Sequence, residues 1–241
     1  MLKAVYFDID NTLCSYDQAN AAAMEKIYQY GKTEFSLNAD EMNHLLSEAQ
    51  KTVQKRLGKG SAVIHDRLIR FQCFLELLHD TDFKKAIGMD RIYWDTFMDT
   101  ITPEPGLVPL LQALKKAGVL LGIGSDQSSH IQYRKLETLG ILTYFSRIVT
   151  SEEAGAEKPA AKFFELCVEK AGCAAKECAF IGDHREKDVE GALQNGLYGI
   201  LYCPGPSGSS EHGHSVIHAY ADCLREDSIR LGNCQIIKNI R

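Results

Sequence analysis

A chain of 241 residues, 45% of them hydrophobic and 24% charged, is long enough to bury a substantial core, as one domain or as a core with an insert. Its formal charge of −5 gives no electrostatic reason to expect nucleic acid or an anionic membrane as a partner, so any anion must be attracted locally. No apolar stretch approaches the roughly 18 residues of a membrane helix, and the amino terminus runs straight into a strand rather than a signal peptide. A cytoplasmic location is therefore expected. The eight cysteines, Cys14, Cys73, Cys167, Cys173, Cys178, Cys203, Cys223 and Cys234, contain no Cys-x-x-Cys pair, and a chain of this size needs no disulfide framework. They read as small core hydrophobes, with Cys14 the one to watch because it follows the first acidic motif.

In chain order, the apolar run Leu2 to Phe7 predicts a strand that ends in Asp8-Ile9-Asp10-Asn11-Thr12-Leu13. The carboxyl edge of a parallel sheet is where open α/β folds bind ligands. Two carboxylates this close call for a cation or for one shared proton, and both suit phosphoryl transfer through an aspartyl nucleophile. By itself the motif reads equally well as a strand-ending turn whose side chains satisfy local amides.

From Tyr16 to about Thr102 the pattern is helical throughout. Asp17 can open a helix to Tyr30 with Gly31 as its stop, and Asn38 or Asp40 a second to Leu57 with a stop near Gly58. Ala62 to His79 carries apolar residues at helical spacing, and Phe83 to Ile101 forms a further helical region interrupted near Gly88. Pro103-Glu104-Pro105-Gly106 ends the helical stretch.

Segments 107–117, 119–124, 128–139, 147–150, 160–172, 179–182, 186–195 and 197–202 then alternate helix and strand, which argues for a parallel sheet covered on both faces. Three features stand along this alternation. Ser125 closes an apolar run, Lys158 precedes Pro159 at a helix start, and Gly182-Asp183 closes another run with Asp188 five residues on. The order is acid pair, hydroxyl, lysine, acid pair. The tail from Val216 reads as helical and then unassigned. His212, His214 and His218 lack the cysteines or carboxylates that would complete a metal shell, so they read as a polar loop.

In these four stations, covering about 1–15 and 103–202, the chain resembles the haloacid dehalogenase-like hydrolase superfamily, specifically its phosphatase branch. Asp8, Asp10 and Thr12 match the first motif, Ser125 the second, Lys158 the third, and Gly182, Asp183 and Asp188 the fourth. Asp126, where Asn is usual, adds a negative charge near the phosphate site, and His184 replaces a small residue. The resemblance implies a Rossmann-like catalytic core over 1–15 and 103–241, and an inserted all-helical cap domain over 16–102 that closes over the active site and selects a small substrate.

What the resemblance and the chemistry together imply is a magnesium-dependent phosphatase acting on a small phosphorylated metabolite such as a sugar phosphate or a nucleotide. Asp8 would be the nucleophile that becomes a phosphoaspartate, and Asp10 the acid and base. Ser125 and Lys158 would hold the phosphoryl group, with Thr12 and Asp188 as support. Mg2+ would be held by Asp8, the Asp10 carbonyl and Asp183. A monomer or homodimer is expected. Three alternatives stand beside it: a sugar-phosphate mutase with the same aspartyl chemistry, a 2-haloacid dehalogenase, for which Asp10 would be superfluous, and a non-catalytic phospho-ligand sensor. Lys55, Arg56, Lys59, His65, Arg67 and Arg70 are the candidates for gripping a second anionic or hydroxylated part of the substrate.

Overall fold

The protein is described by a computed structural model over residues 2–58, 62–205, 215–225 and 228–238. It divides into two compact units, Met1–Ser15 with Thr102–Arg241, and Tyr16–Ile101. Strand β1 (Ala4–Phe7) is buried along its whole length, as befits a central strand with parallel neighbours on both sides.

The inserted unit is entirely helical: α1 (Tyr16–Phe35), α2 (Ala39–Leu57), α3 (Arg67–Leu77) and α4 (Lys84–Thr100). Helix α1 buries Ala19, Ala23, Ile27 and Gly31, and α2 buries Met42, Leu46, Ala49 and Val53. These are stripes at the helical period that pack α1 on α4 and α2 on α3. Asn38 caps α2 in a reciprocal box with Glu41.

Three expectations are corrected here. Gly31 does not end α1, because it is a packing residue: a Cβ there would run into the Met42 thioether. Gly88 does not interrupt α4. The stretch from Ala62 to His79 divides into a 3-10 turn, Ala62–His65, and α3. The break falls at Asp66, whose carboxylate accepts the Ile69 amide at 3.1 Å and so restarts the helix.

The remaining elements of the first unit are α5 (Leu107–Lys116), β2 (Leu120–Ser125), α6 (Ser129–Thr138), β3 (Arg147–Thr150), α7 (Ser151–Ala154), α8 (Ala161–Ala171), β4 (Cys178–Gly182), α9 (Gly191–Gln194), β5 (Tyr198–Tyr202) and β6 (Ser215–Ile217). The six strands form one parallel sheet in the order β3-β2-β1-β4-β5-β6. Phe7 lies in register with Ile123 and with Ile181, so the carboxyl ends of the three central strands finish level. On one face Tyr6, Phe163, Phe164, Cys167 and Phe180 form a continuous core. On the other, Phe7 meets Phe145 edge-on. This is a Rossmann-like parallel core carrying an all-helical insertion.

Beyond the sheet the helical expectation for the tail is also corrected. After a 3-10 turn at Tyr220–Cys223, β7 (Leu224–Arg225), β8 (Ser228–Leu231) and β9 (Cys234–Lys238) form an antiparallel sheet. Alternating burial along Ser228, Ile229, Arg230 and Leu231, followed by Gly232-Asn233, is the signature of a hairpin. His212 and His214 lie outside the described residues, and the His218 ring nitrogen Nδ1 pairs with the Cys203 carbonyl at 2.8 Å. Cys14, Cys73, Cys167, Cys178 and Cys223 are buried free thiols. Burial pushes the Cys14 thiol up to about 12, which suits packing rather than reaction. No helix among the described residues is long and apolar enough to cross a membrane.

Candidate active site

Each of the four stations emerges from the same edge of the sheet. The Asp8 amide donates to the Ile181 carbonyl at 2.8 Å and extends the ladder by one residue beyond β1. The chain then turns: the Leu13 amide reaches back to the Ile9 carbonyl at 2.8 Å, and Asn11 adopts a left-handed φ of 54°. Thr12 serves this turn through its backbone, donating to Ile9 at 3.2 Å and accepting the Tyr220 hydroxyl at 2.9 Å. Its own hydroxyl is buried with no hydrogen-bond partner among the described residues. Ser125 is the last residue of β2, and Asp183 directly follows β4. Asp188 sits in a π-helical turn, Arg185–Glu190. Gly182 makes that position possible, because a Cβ on it would occupy the space of the Asp188 carboxyl group.

The side chains converge on a cavity of about 160 Å³ lined by Asp8, Ser125, Lys158, Asp183, Lys187 and Asp188 among others. Lys158 is its electrostatic centre, with Nζ 2.8 Å from Asp8 Oδ1 and 2.6 Å from Asp188 Oδ1. Burial works against this ammonium, but Asp188, Asp8 and Asp126 outweigh it and hold its pKa well above the ordinary lysine value. Asp188 is raised chiefly by burial, and both its oxygens are engaged, one by Lys158 and the other by the His184 amide at 2.9 Å. Asp183 is pushed up to about 7, first by burial and then by the charges of Asp8 and Asp188.

Carboxylate oxygens of Asp8, Asp183 and Asp188 lie within 4.8 Å of one another. A carboxyl group that needs neutralising, in an all-oxygen set, is a donor arrangement that fits a hard divalent cation. Asp8, Asp10, Ser125, Lys158, Asp183 and Asp188 are thus brought to one cavity, whereas Thr12 supports the loop beneath it.

Three residues of this neighbourhood escaped the sequence reading. Lys135, fully buried on α6, grips both carboxylate oxygens of Asp10 at 2.6 and 2.8 Å. Gln132, one turn earlier, donates to Ser125 Oγ at 2.9 Å and to the Asp126 carbonyl at 2.7 Å. Among the described residues the hydroxyl proton of Ser125 then has a long contact of 3.4 Å to the Asp126 carbonyl, which leaves it available for a better acceptor. Lys187 pairs with Asp126 at 2.9 Å, and the same carboxylate accepts the Lys158 amide at 3.0 Å. The extra charge of Asp126 is therefore answered within the protein. The available signal was the pair Gln132 and Lys135, two polar residues three apart on a helix that directly follows Ser125.

The haloacid dehalogenase-like hydrolase family matches this chain over residues 2–196. A ribulose-1,5-bisphosphate 5-phosphatase of Halopiger xanaduensis is 31% identical over 95% of each chain. A glyceraldehyde 3-phosphate phosphatase of Methanopyrus kandleri is 31% identical over 82% of each. Among solved structures, a 2-haloacid dehalogenase from Pseudomonas syringae superposes with a TM-score of 0.73 over 92% of this chain and 96% of its own, at 22% identity. That last likeness shows the fold alone.

Proposed function

Because the chain belongs to the haloacid dehalogenase-like hydrolase family, we propose that it is a magnesium-dependent phosphatase that hydrolyses a small phosphomonoester through a phosphoaspartyl intermediate on Asp8. The observation that carries this reading is Lys158, held between Asp8 and Asp188 beside a third carboxyl group, Asp183, which burial and the charges of Asp8 and Asp188 push up to about 7 and which a cation would help to ionise. An Asp8 carboxylate fixed at 2.8 Å from an ammonium is oriented for attack, and the ammonium offers charge to the transferring group. Ser125, with Gln132 occupying its oxygen, presents its proton to a phosphoryl oxygen.

Asp10 stands two residues from Asp8, where it protonates the leaving alkoxide and then takes a proton from the attacking water. Asp8 and Asp183, with the Asp10 carbonyl, would hold the magnesium ion. Bound there, the ion supplies positive charge that offsets the carboxylates and the incoming phosphate. Asp188, with both oxygens already engaged, positions Lys158 instead of reacting. The two relatives named for ribulose-1,5-bisphosphate and glyceraldehyde 3-phosphate support a phosphorylated sugar as the substrate. The acid at Asp10, which a halide leaving group does not need, supports ester hydrolysis over dehalogenation.

The test is Asp8→Asn assayed on a panel of sugar phosphates with magnesium. Turnover should fall by several powers of ten while the fold is kept, and chelation of the parent enzyme should stop activity until magnesium is returned. Activity of the variant within about tenfold of the parent would rule out the aspartyl nucleophile.

A further inference from the structure

Two thiols meet where the chain enters β4. Cys178 is the first residue of that strand and is fully buried, and the register of β4 with β1 holds it opposite Ala4. Cys173 lies five residues earlier, in the loop behind α8, and is partly exposed. Between them Ala175–Glu177 forms a 3-10 turn, closed by the Glu177 amide on the Ala174 carbonyl at 2.8 Å. The turn folds the loop back onto the strand and sets Cys173 Sγ 3.5 Å from Cys178 Sγ.

Packing accounts for one of these sulfurs and not for the other. Cys178 belongs to the core that also holds Tyr6, Cys167 and Phe180, where a thiol serves as a small hydrophobe. Cys173 reaches the same sulfur from the solvent side, where a methyl group would cover the core without adding a thiol that an oxidant can reach. Burial first, and then the hydrogen bond with Cys173, push Cys178 up to about 12. The Lys3 ammonium, held by Glu177 at 2.8 Å, is in electrostatic contact with Cys173. An accessible thiol beside a cation thus backs onto a protonated, buried one. A disulfide needs its sulfurs about 2.05 Å apart. The sheet fixes Cys178, so the loop must give, and next to Cys173 a Cβ on Gly172 would meet nothing within 4 Å.

We propose that Cys173 and Cys178 form a modification site for hydrogen peroxide that closes to a reversible disulfide. The Cys173 thiolate attacks one peroxide oxygen. An S–O bond forms, the O–O bond breaks, and the departing oxygen takes a proton and leaves as water. The Cys178 sulfur then attacks the sulfenic sulfur of Cys173, so that the S–S bond forms as the S–O bond breaks. A second water leaves with the Cys178 proton. Two thiols have given up two electrons and the peroxide has been reduced to two waters. The inference does not rest on the phosphatase reading, because the thiols stand at the amino end of β4 and Asp183 follows its carboxyl end.

The sequence makes the test direct. Trypsin cuts after Lys170, Lys176 and Arg185, which places Cys173 and Cys178 on separate peptides, 171–176 and 177–185, each with no other cysteine. The full chain is reduced, exposed to hydrogen peroxide, alkylated and digested without reductant. The two peptides should be recovered joined, two hydrogens lighter than their sum, and should separate on reduction. In Cys178→Ala the sulfenic acid has no partner, so Cys173 should pass on to sulfinic acid. The oxidised parent should also melt several degrees above the reduced protein, because the bridge restricts the unfolded chain, and Cys173→Ser should show no such shift.

A parent in which 171–176 carries sulfinic acid while 177–185 keeps a free thiol would overturn the site. Two peptides that both stay reduced, or equal sulfinic acid in the parent and in Cys178→Ala, would do the same. Should Cys178→Ala fail to fold, the peptide map of the parent decides alone.

Discussion

Asp10 is gripped through both carboxylate oxygens by a lysine with no exposure to solvent, so its position is set from α6 as well as from its own loop. Lys135→Met keeps the length of the side chain and removes the clamp. We expect kcat to fall on the order of tenfold to a hundredfold for a sugar phosphate. The loss should be smaller for an activated aryl phosphate, whose phenolate departs without a proton. Steady-state kinetics on both esters checks this, and equal losses would mean that Lys135 serves packing rather than Asp10.

Asp183 yields a prediction in pH. In the metal-free fold it keeps its proton up to about 7, against an ordinary value of 3.8. The stability it contributes is therefore full below the ordinary value and is lost as pH rises through about 7. Magnesium competes with that same proton, so its apparent affinity should fall roughly tenfold for each pH unit below 7. Melting curves of the chelated protein across this range, with magnesium titrations at about pH 6 and about pH 8, measure both effects. A metal-free protein that gains stability from Asp183 between about pH 4 and about pH 7, relative to Asp183→Asn, would contradict the assignment.

Among the elements, the tail does most that the linear pattern concealed. Tyr220 is fully buried, stacks on Tyr202 with ring centroids 4.4 Å apart, and sends its hydroxyl to the Thr12 carbonyl in the first motif. Tyr202 in turn donates to Glu104 at 2.9 Å. Tyr220→Phe removes one buried hydrogen bond and leaves the Thr12 carbonyl without its donor. It should cost about 1 kcal/mol of stability and slow turnover on the order of tenfold through looser placement of Asp8 and Asp10. Denaturant melts and kcat report the two effects separately. Unchanged kcat at reduced stability would confine the tail to a structural role.

The tail also marks what could be read from residues in order. The central strands announce themselves as apolar runs ending in Asp8, Ser125 and Asp183, because a strand buried on both faces has no polar side to dilute the signal. The hairpins of the tail are short, and their alternation is visible only once burial is known. Gly31 misled for a related reason: a glycine that admits a neighbouring side chain looks in sequence like one that ends a helix. Lys135 and Gln132 are ordinary helix residues in a linear reading. Their partners are Asp10 and Ser125, and only the folding of α6 beside the sheet edge reveals them.

At the scale of the whole molecule, the helical unit is one unbroken segment, Tyr16–Ile101, whereas its companion is assembled from two. The inserted unit has its own core: Ile27, Met42, Val53, Phe71, Phe74, Met89, Tyr93 and Phe97 are all buried. Phe35 meets Phe74 edge-on at 5.4 Å, and Tyr93, Trp94 and Phe97 form a second aromatic cluster. Capping at Asn38 and Asp66 is internal to it as well. A segment with its own core and caps should fold without the rest of the chain, though modestly, since a domain of this size buries a smaller fraction of its surface than the intact protein. Residues 16–101 expressed alone should therefore give a helical circular dichroism spectrum and a cooperative melt at lower temperature than the full chain. The packing of Met42 against Gly31 offers the control. Gly31→Leu in the same fragment should abolish the cooperative transition by driving α1 and α2 apart. A fragment that is unfolded in both forms would show that the helical unit depends on the chain around it.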